Sequence, residues 1–71
     1  MLTERIEVRV RIGKREKVMK VKRAVKVISI LRDLNINPVE VVVLKDGVPV
    51  TEEEVLVKDT CIEIISVVSG G

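Results

Sequence analysis

The chain has 71 residues, a formal net charge of +2 and no aromatic residue. A chain of this length forms a single domain, residues 1–71, that buries only about 60% of the surface exposed by its unfolded form. Its content of 46% hydrophobic and 34% charged residues excludes intrinsic disorder. No apolar run is long enough to cross a membrane, and the first residues lack the apolar segment of a signal peptide.

The composition also restricts the chemistry of the protein. One cysteine and no histidine predict a cytoplasmic protein without disulfides, and they remove the usual zinc ligands and the usual general base. The core must be built from valine, isoleucine and leucine, which number 16, 8 and 5, so β-branched residues favour strands. Many Lys, Arg and Glu residues around such a core are also compatible with a thermophilic source.

Charge is distributed unevenly along the chain. Residues 1–32 contain 11 Lys or Arg and 3 Glu, a balance of +8, whereas residues 33–71 contain 2 Lys and 8 Asp or Glu, a balance of −6. A folded domain can present two faces of opposite sign, which would orient a charged partner. Clustered cations can bind phosphate backbones, but no aromatic residue is present to stack on bases. Nucleic-acid binding is therefore only a second alternative.

The first predicted elements form a β-hairpin. Residues 4–12 alternate between apolar and charged side chains, with Ile6, Val8, Val10 and Ile12 on one face, which predicts a half-buried strand. Residues 13–16 form a turn, and residues 17–21 return as a second strand. The sequence does not determine which face Val18 and Met19 occupy.

A short amphipathic helix starts near Lys26. Val27, Ile30, Leu31 and Leu34 lie at i, i+3, i+4 and i+7, as on one stripe of a helix. Asn35 is suited to the left-handed residue that ends a helix, and the Asn37-Pro38 pair prevents its continuation. The helix must be held by packing on a sheet because it is too short to be stable alone.

The second half of the chain contains three more predicted strands. Residues 39–45 are nearly all apolar, as in an interior strand, and Asp46-Gly47 predicts a tight hairpin turn into residues 48–50. Pro49 places this strand at an edge of the sheet. After a turn at residues 58–60, residues 61–68 form the last strand.

Residues 51–54 fit the start of a helical turn. Thr51 can cap such a turn, and Glu54 can close a capping box with it. The element order thus predicts an α+β fold with a mixed four- to five-stranded sheet and one helix across one face. A right-handed crossover should bring the third or last strand parallel to the first.

Two glycines, Gly70 and Gly71, come after Ser69 at the end of the sequence. They offer an unhindered backbone that tolerates almost any φ and ψ and one carboxylate, which is ionised at neutral pH. We expect residues 69–71 to form a flexible functional tail that enters a narrow channel of a partner. Because chain ends are often Gly-rich without a chemical reason, the interpretation depends on the rest of the chain.

The whole chain resembles the ubiquitin-like β-grasp family, and most of all the small sulfur carriers ThiS and MoaD and their archaeal small modifier relatives. Residues 67–71 resemble the end of these carriers, which have an apolar pair, a small residue and Gly-Gly. Residues 27–34 resemble the family's helix. The segment that follows this helix in the family is similar to residues 35–38 and the strand after them. The usual hairpin of the family matches residues 46–50. The sequence departs from the family at Lys26, where Thr is common, and in the turn at residues 58–60.

This resemblance implies a sulfur carrier rather than an enzyme. An adenylating partner (ThiF/MoeB-like) would use ATP and Mg²⁺ to activate the Gly71 carboxylate, and a sulfur donor would convert it to a thiocarboxylate for thiamine thiazole, molybdopterin or tRNA thiolation. An acceptor synthase would then receive the sulfur. The first alternative is a modifier in which Gly71 is joined to target lysines. The carrier itself would be a monomer that binds no cofactor stably.

The last strand contains further candidate residues, in an apolar surface and a single cysteine. If Ile62 and Ile64 face the helix, Ile65 and Val67 form an exposed apolar surface at which an activating enzyme would dock, unless neighbouring side chains cover it. Cys61 lacks a neighbouring His or second Cys and is predicted to be an inert packing residue. The absence of a nucleophile–base pair and of a Gly-rich phosphate loop argues against an enzyme.

Overall fold

The computed structural model describes residues 4–67. These residues form a mixed five-stranded sheet in the order β2-β1-β7-β4-β5, one helix, and a separate two-stranded ladder, β3-β6. The elements are β1 (Arg5–Ile12), β2 (Arg15–Lys22), β3 (Val25–Lys26), α1 (Val27–Asp33), a 3₁₀ helix (Pro38–Glu40), β4 (Val41–Lys45), β5 (Val48–Val50), β6 (Val55–Leu56) and β7 (Thr60–Ser66).

The last strand lies in the middle of the sheet. β7 pairs with β1 in parallel, from Val8 opposite Thr60 to Ile12 opposite Ile64, and with β4 in antiparallel orientation. The prediction that a crossover brings a later strand parallel to the first is therefore confirmed, and the strand is the last one. The fold is the α+β arrangement expected from the sequence.

The core lies between the helix and one face of the sheet. Ten hydrophobic side chains are buried there, and they are Ile6, Val8, Val10, Val27, Ile30, Leu31, Val43, Leu56, Ile62 and Ile64. Burial of each such side chain stabilises the fold by about 1.5–3 kcal/mol. The alternation predicted for β1 is confirmed except at its end, because Ile12 is 38% exposed. Ile12 pairs with Arg15 next to the hairpin turn, at the limit of the core.

The register of the first hairpin settles the orientation of β2. Met19 and Val21 lie opposite the buried residues Val8 and Ile6, and both pack against the core. Val18 is on the other face and is exposed. β2 is also longer than predicted at both ends, since it spans Arg15–Lys22.

The N-terminus of the helix is capped by a distant segment. Lys26 makes no side-chain capping hydrogen bond. Instead, the backbone N–H of Val27 donates to the carbonyl oxygen of Glu54 at 2.9 Å, and that of Ile28 donates to the carbonyl oxygen of Glu52 at 2.9 Å. These bonds satisfy two of the donors that a helix N-terminus leaves free.

The segment that supplies these carbonyls is a turn, so the predicted helical turn with a capping box is wrong. Thr51 Oγ1 accepts a hydrogen bond from the N–H of Glu53 at 3.3 Å, as a capping residue would. The Glu54 carboxylate does not complete the box, because it accepts a hydrogen bond from Lys45 Nζ at 2.9 Å. The chain then continues into β6, which pairs with β3.

The helix ends as predicted. Asn35 has a φ of +59°, and the N–H of Ile36 donates to the carbonyl oxygen of Leu31 at 2.8 Å. Asn37 Oδ1 then accepts a hydrogen bond from the N–H of Val39 at 3.1 Å and opens the 3₁₀ helix. The predicted strand at residues 39–45 begins two residues later than expected, at Val41, because Val39 and Glu40 belong to the 3₁₀ helix.

The remaining turns position β5 and β7. Asp46 and Gly47 have φ values of +52° and +81°, as the mirror-image turns of tight hairpins require, and β5 forms the predicted edge. Before β7, Asp59 Oδ1 accepts a hydrogen bond from the N–H of Glu7 at 2.8 Å, which ties this turn to β1. Within residues 4–67 no helix is long and apolar enough to span a membrane.

Candidate functional site

The predicted reacting tail lies outside the described residues, which end at Val67. This applies to Ser69, Gly70 and Gly71 and to Val68, the predicted end of the last strand. The structure does describe how the chain is held just before the tail. Ser66 lies opposite Val41 in the sheet, and the N–H of Val67 donates to the carbonyl oxygen of Glu40 at 3.0 Å.

This anchor lies at the end of the central strand, where the pairing with β4 reaches Ser66 and the pairing with β1 has already ended at Ile64. β7 is bonded to β1 on one side and to β4 on the other, so its position is fixed by most of the domain. Ser66 and Val67 therefore leave the sheet at a defined place.

The two predicted docking residues are exposed, and Ile65 lies on the face of the sheet opposite the helix, here called the open face. Ile62 and Ile64 are 0% and 3% exposed, whereas Ile65 and Val67 are 40% and 56% exposed. The strand alternation thus places Ile65 on the open face, next to the anchor. Its role in docking remains a prediction.

The structure adds two residues to this surface. Val42, which is 38% exposed, lies directly opposite Ile65 in the sheet, and Leu44 lies opposite Glu63. We call Val42, Leu44 and Ile65 the apolar patch. The sequence shows that β4 is apolar, but only the pairing register shows which of its residues share a face with Ile65.

Cations outnumber carboxylates on the other half of the open face, where Glu7 and Glu16 also lie. The residues of β1 and β2 that point to this side include Arg5, Arg9, Arg11, Lys20 and Lys22. Arg9 contacts Glu16 with an N–O distance of 3.6 Å. The remaining four make no ion pair with residues 4–67. The open face therefore changes from cationic at β2 to apolar at β4.

Other chemical candidates are not assembled into a site. Cys61 is a free thiol on the open face and is only partly buried, opposite Arg9 in the register. In the part of the chain that the structure describes, no three His, Cys, Asp or Glu side chains are grouped so that they could hold a metal ion.

The sequence profile of the family described as small archaeal modifier protein 2 matches residues 5–68. This match covers nearly the whole chain, including every strand of the fold and the anchor at Val67. Among curated protein sequences, none matches the chain.

Solved structures with similar coordinates are ubiquitin-like. The N-terminal ubiquitin-like domain of the 4931431F19Rik protein has a TM-score of 0.74 and 14% identity, over 99% of this chain and 82% of that one. The ubiquitin-like domain of the Arabidopsis thaliana protein At2g32350 has a TM-score of 0.73 and 14% identity, over 94% and 82%. A de novo designed protein based on ubiquitin has a TM-score of 0.72 and 17% identity, over 93% of both chains. Such low identities show the ubiquitin-like fold alone.

Proposed function

Because the chain belongs to the small archaeal modifier protein 2 family, we propose that this small ubiquitin-like modifier or carrier acts through the carboxylate of Gly71. The observation that carries the proposal is the family match over residues 5–68, with Ser69-Gly70-Gly71 directly after it. Gly71 supplies the reacting carbon, and Gly70 and Ser69 are small enough to enter a confined site.

The first step would be activation by a partner enzyme. A carboxylate is a poor electrophile, so an oxygen of Gly71 attacks the α-phosphorus of Mg²⁺-bound ATP, and pyrophosphate leaves. The resulting acyl-adenylate has AMP as a good leaving group. The chain needs no catalytic side chain of its own for this chemistry, since the enzyme supplies ATP, Mg²⁺ and the active site.

Conjugation to lysine is the first candidate for the second step. The ε-amine of a target lysine attacks the Gly71 carbonyl carbon of the acyl-adenylate, AMP leaves, and the amine loses a proton as the isopeptide bond forms. The description of the family as modifiers favours this outcome. The resemblance to ThiS and MoaD placed sulfur transfer before conjugation, and the description of the family places conjugation first.

Sulfur transfer is the second candidate, and the same acyl-adenylate serves it. A persulfide sulfur displaces AMP to give an acyl disulfide, and a second thiol then cleaves its S–S bond to leave a thiocarboxylate on Gly71. The end of the sequence supports this candidate because it resembles the tails of the small sulfur carriers. An acceptor synthase or a tRNA-thiolating enzyme would use the sulfur.

The domain would position the tail for the partner. The anchor at Ser66 and Val67 would set where the tail starts, and Ile65 of the apolar patch lies on the same strand, with Val42 opposite it on β4. An activating enzyme that covers Ile65, Val42 and Val67 would hold the tail in one direction. The three side chains are 38–56% exposed, so each still has apolar area to bury against a partner.

The experiment is intact mass analysis of the protein from its native cells, with fragmentation of every modified species. A branched peptide that joins Gly71 to a lysine is expected for the modifier, and replacement of one oxygen of Gly71 by sulfur is expected for the carrier. In a reconstituted reaction, pyrophosphate release should require both the chain and the adenylating enzyme.

The matched control is a chain that lacks Gly70 and Gly71. It should lose both modifications and the pyrophosphate release, with almost no loss of stability, because glycine has no side chain to bury. An unmodified carboxylate in cells and in the reconstituted reaction, or modification of the shortened chain, would contradict the proposal.

A further inference from the structure

The outer edge of β2 is the longest open edge of the sheet. β2 spans Arg15–Lys22 and is the terminal strand next to β1. Within residues 4–67 no other strand pairs with its outer side. Alternate N–H and C=O groups along this edge are therefore free to bond to a further strand.

The two edges of the sheet differ in how they are protected against the addition of another strand. The opposite edge, β5, has only three residues, Val48–Val50, and contains Pro49, which are two ordinary ways to prevent strand addition. β2 has eight residues and no proline. Its only protection is charge, since it carries Arg15, Lys17, Lys20 and Lys22 against Glu16.

These charges select the partner that can pair with the edge. Two copies of β2 side by side would bring like charges together, which disfavours a dimer through this edge. An acidic strand would instead meet unpaired cations, because Lys17, Lys20 and Lys22 make no ion pair with the described residues. Edge lysines alone would oppose pairing of the protein with itself, but they do not explain the surface beside them.

That surface is a groove beside the last three residues of β2, and it reaches the helix. Its lining combines apolar, cationic and polar side chains, namely Arg5, Lys20, Val21, Lys22, Val25, Ser29 and Asp33. Val21 and Val25 are half-buried and pack against the core, so the groove has an apolar floor on the helix side. Asp33 is its only carboxylate.

The register between β2 and β1 shows which side-chain pattern an added strand needs in order to fit this edge. On the helix side, β2 presents Met19 and Val21, which lie opposite buried residues of β1. On the open face it presents Lys20 and Lys22, and the adjacent strand places Glu7 opposite Lys20 and Arg5 opposite Lys22. Successive residues of an added strand point to opposite faces, so one face of the partner must be apolar and the other acidic.

We propose that β2 binds an extended segment of a partner protein in which apolar residues alternate with acidic ones. The segment adds a sixth strand to the sheet, places its apolar side chains over Met19, Val21 and Val25, and places its carboxylates next to Lys20 and Lys22. Backbone hydrogen bonds supply affinity and the side chains supply selectivity, as in other cases of strand addition. Glu16 at the far end of β2 favours a register in which the acidic residues lie near Lys22.

A nucleic acid is the less suitable occupant of the same groove. Lys20, Lys22 and Arg5 would attract phosphates. However, the apolar floor and the free backbone edge match a polypeptide strand, and the chain has no aromatic residue for bases to stack on. Binding of nucleic acid is therefore one of the outcomes that the test must distinguish.

The test uses the full chain and a synthetic peptide, as long as β2, in which Val alternates with Glu. Peptide binding should shift backbone amide signals of β2 in NMR spectra and slow their hydrogen exchange. A peptide in which Lys replaces Glu should not bind. Of two peptides that are N-methylated at alternate residues, only the one whose methyl groups face β2 should lose binding.

Variants of the protein then test which of its cations contribute to peptide binding. Lys20→Glu with Lys22→Glu should raise the Kd of the peptide at least about tenfold, since two attractions between charges become repulsions. Lys14→Glu with Lys58→Glu changes the net charge equally at exposed positions outside the groove and should have little effect. A chain without Gly70 and Gly71 should bind as well as the intact chain, which separates this surface from the tail.

Three results would overturn the proposal. One is equal weakening by the two double variants, which would indicate attraction by net charge alone. Another is equal binding of both N-methylated peptides, which would exclude strand addition. The third is a response of β2 to an oligonucleotide but to neither unmodified peptide, which would assign the groove to phosphate binding.

Discussion

At the scale of single residues, Ala24 has an unfavourable backbone conformation. Its φ is +70°, and its N–H donates to the carbonyl oxygen of Leu56 at 2.8 Å, so the turn between β2 and β3 holds it there. An L-residue in the left-handed region costs about 1–2 kcal/mol, which glycine avoids. Glycine loses about 0.5–1 kcal/mol of this gain through its larger entropy in the unfolded chain.

We therefore expect Ala24→Gly to raise the free energy of unfolding by up to about 1 kcal/mol. Ala24→Val should lower it, because a β-branched residue is poorly tolerated at positive φ. Urea denaturation of the three proteins measures both changes. A stability order other than Gly, Ala, Val would show that the turn relaxes when the residue changes.

Thr60 has a buried hydroxyl without a partner. Its Oγ1 makes no hydrogen bond with the described residues, and a buried hydroxyl without a hydrogen bond costs about 1–3 kcal/mol. Thr60→Val keeps the branched shape and should stabilise the protein by about 1 kcal/mol.

Thr60→Ser is the matched control, because it keeps the hydroxyl and removes the methyl group. It should destabilise the protein in the same thermal or urea unfolding measurement. If Thr60→Val is the less stable of the two, the hydroxyl has a partner that compensates for its burial.

At the scale of elements, the turn at residues 51–54 is expected to hold the start of α1. The hydroxyl of Thr51 accepts a hydrogen bond from the N–H of Glu53, and the carbonyls of Glu52 and Glu54 bond to the first turn of the helix. Thr51→Ala should lower stability by about 0.5–1.5 kcal/mol and speed amide exchange of Val27 and Ile28.

Thr51→Ser keeps the oxygen and serves as the control. Its amides at Val27 and Ile28 should exchange almost as slowly as those of the unchanged protein. Slow exchange of these two amides in Thr51→Ala would show that β3–β6 pairing alone fixes the turn, and that the hydroxyl is dispensable.

Local signals in the sequence were sufficient for most of the elements. Alternation in β1, the helical spacing from Val27 to Leu34 and the positive-φ residues Asn35 and Asp46 each act over a few neighbouring residues, so the sequence reveals them directly. The cap on α1 is different. It depends on backbone carbonyls of a distant turn, and backbone groups have no side-chain signature.

The candidate site was only partly predictable for the same reason. The alternation of the last strand identifies Ile65 and Val67, and the glycines identify the tail. Val42 joins Ile65 only through the pairing of β4 with β7, which is a long-range contact. The groove beside β2 likewise requires the order of the strands and the orientation of Met19 and Val21.

At the scale of the whole molecule, we expect the apolar patch to determine recognition by the activating enzyme. Ile65→Thr with Val42→Thr keeps β-branched side chains and removes apolar area, so the fold should remain. The KM of adenylation for the chain should rise about tenfold, which is the loss expected from partial burial of two such side chains.

The control double variant is Val55→Thr with Val57→Thr. These residues are 41% and 54% exposed and lie at and just after β6, outside the five-stranded sheet. Pyrophosphate release measured against chain concentration gives KM for both variants. Equal KM values for the two would remove the patch from the recognition surface.

The central position of β7 also has a consequence for the order in which the protein is made and folded. A ribosome produces the chain from its N-terminus, and domains fold only when their parts have emerged. Until β7 is complete, the core lacks Ile62 and Ile64, and β1 and β4 have no strand between them. Folding must therefore wait for the last strand, and contacts between distant parts of a chain form slowly. A chain that lacks β7 would have neither the anchor nor Ile65 of the apolar patch, so an enzyme that recognises the folded surface would use ATP only on chains that contain β7.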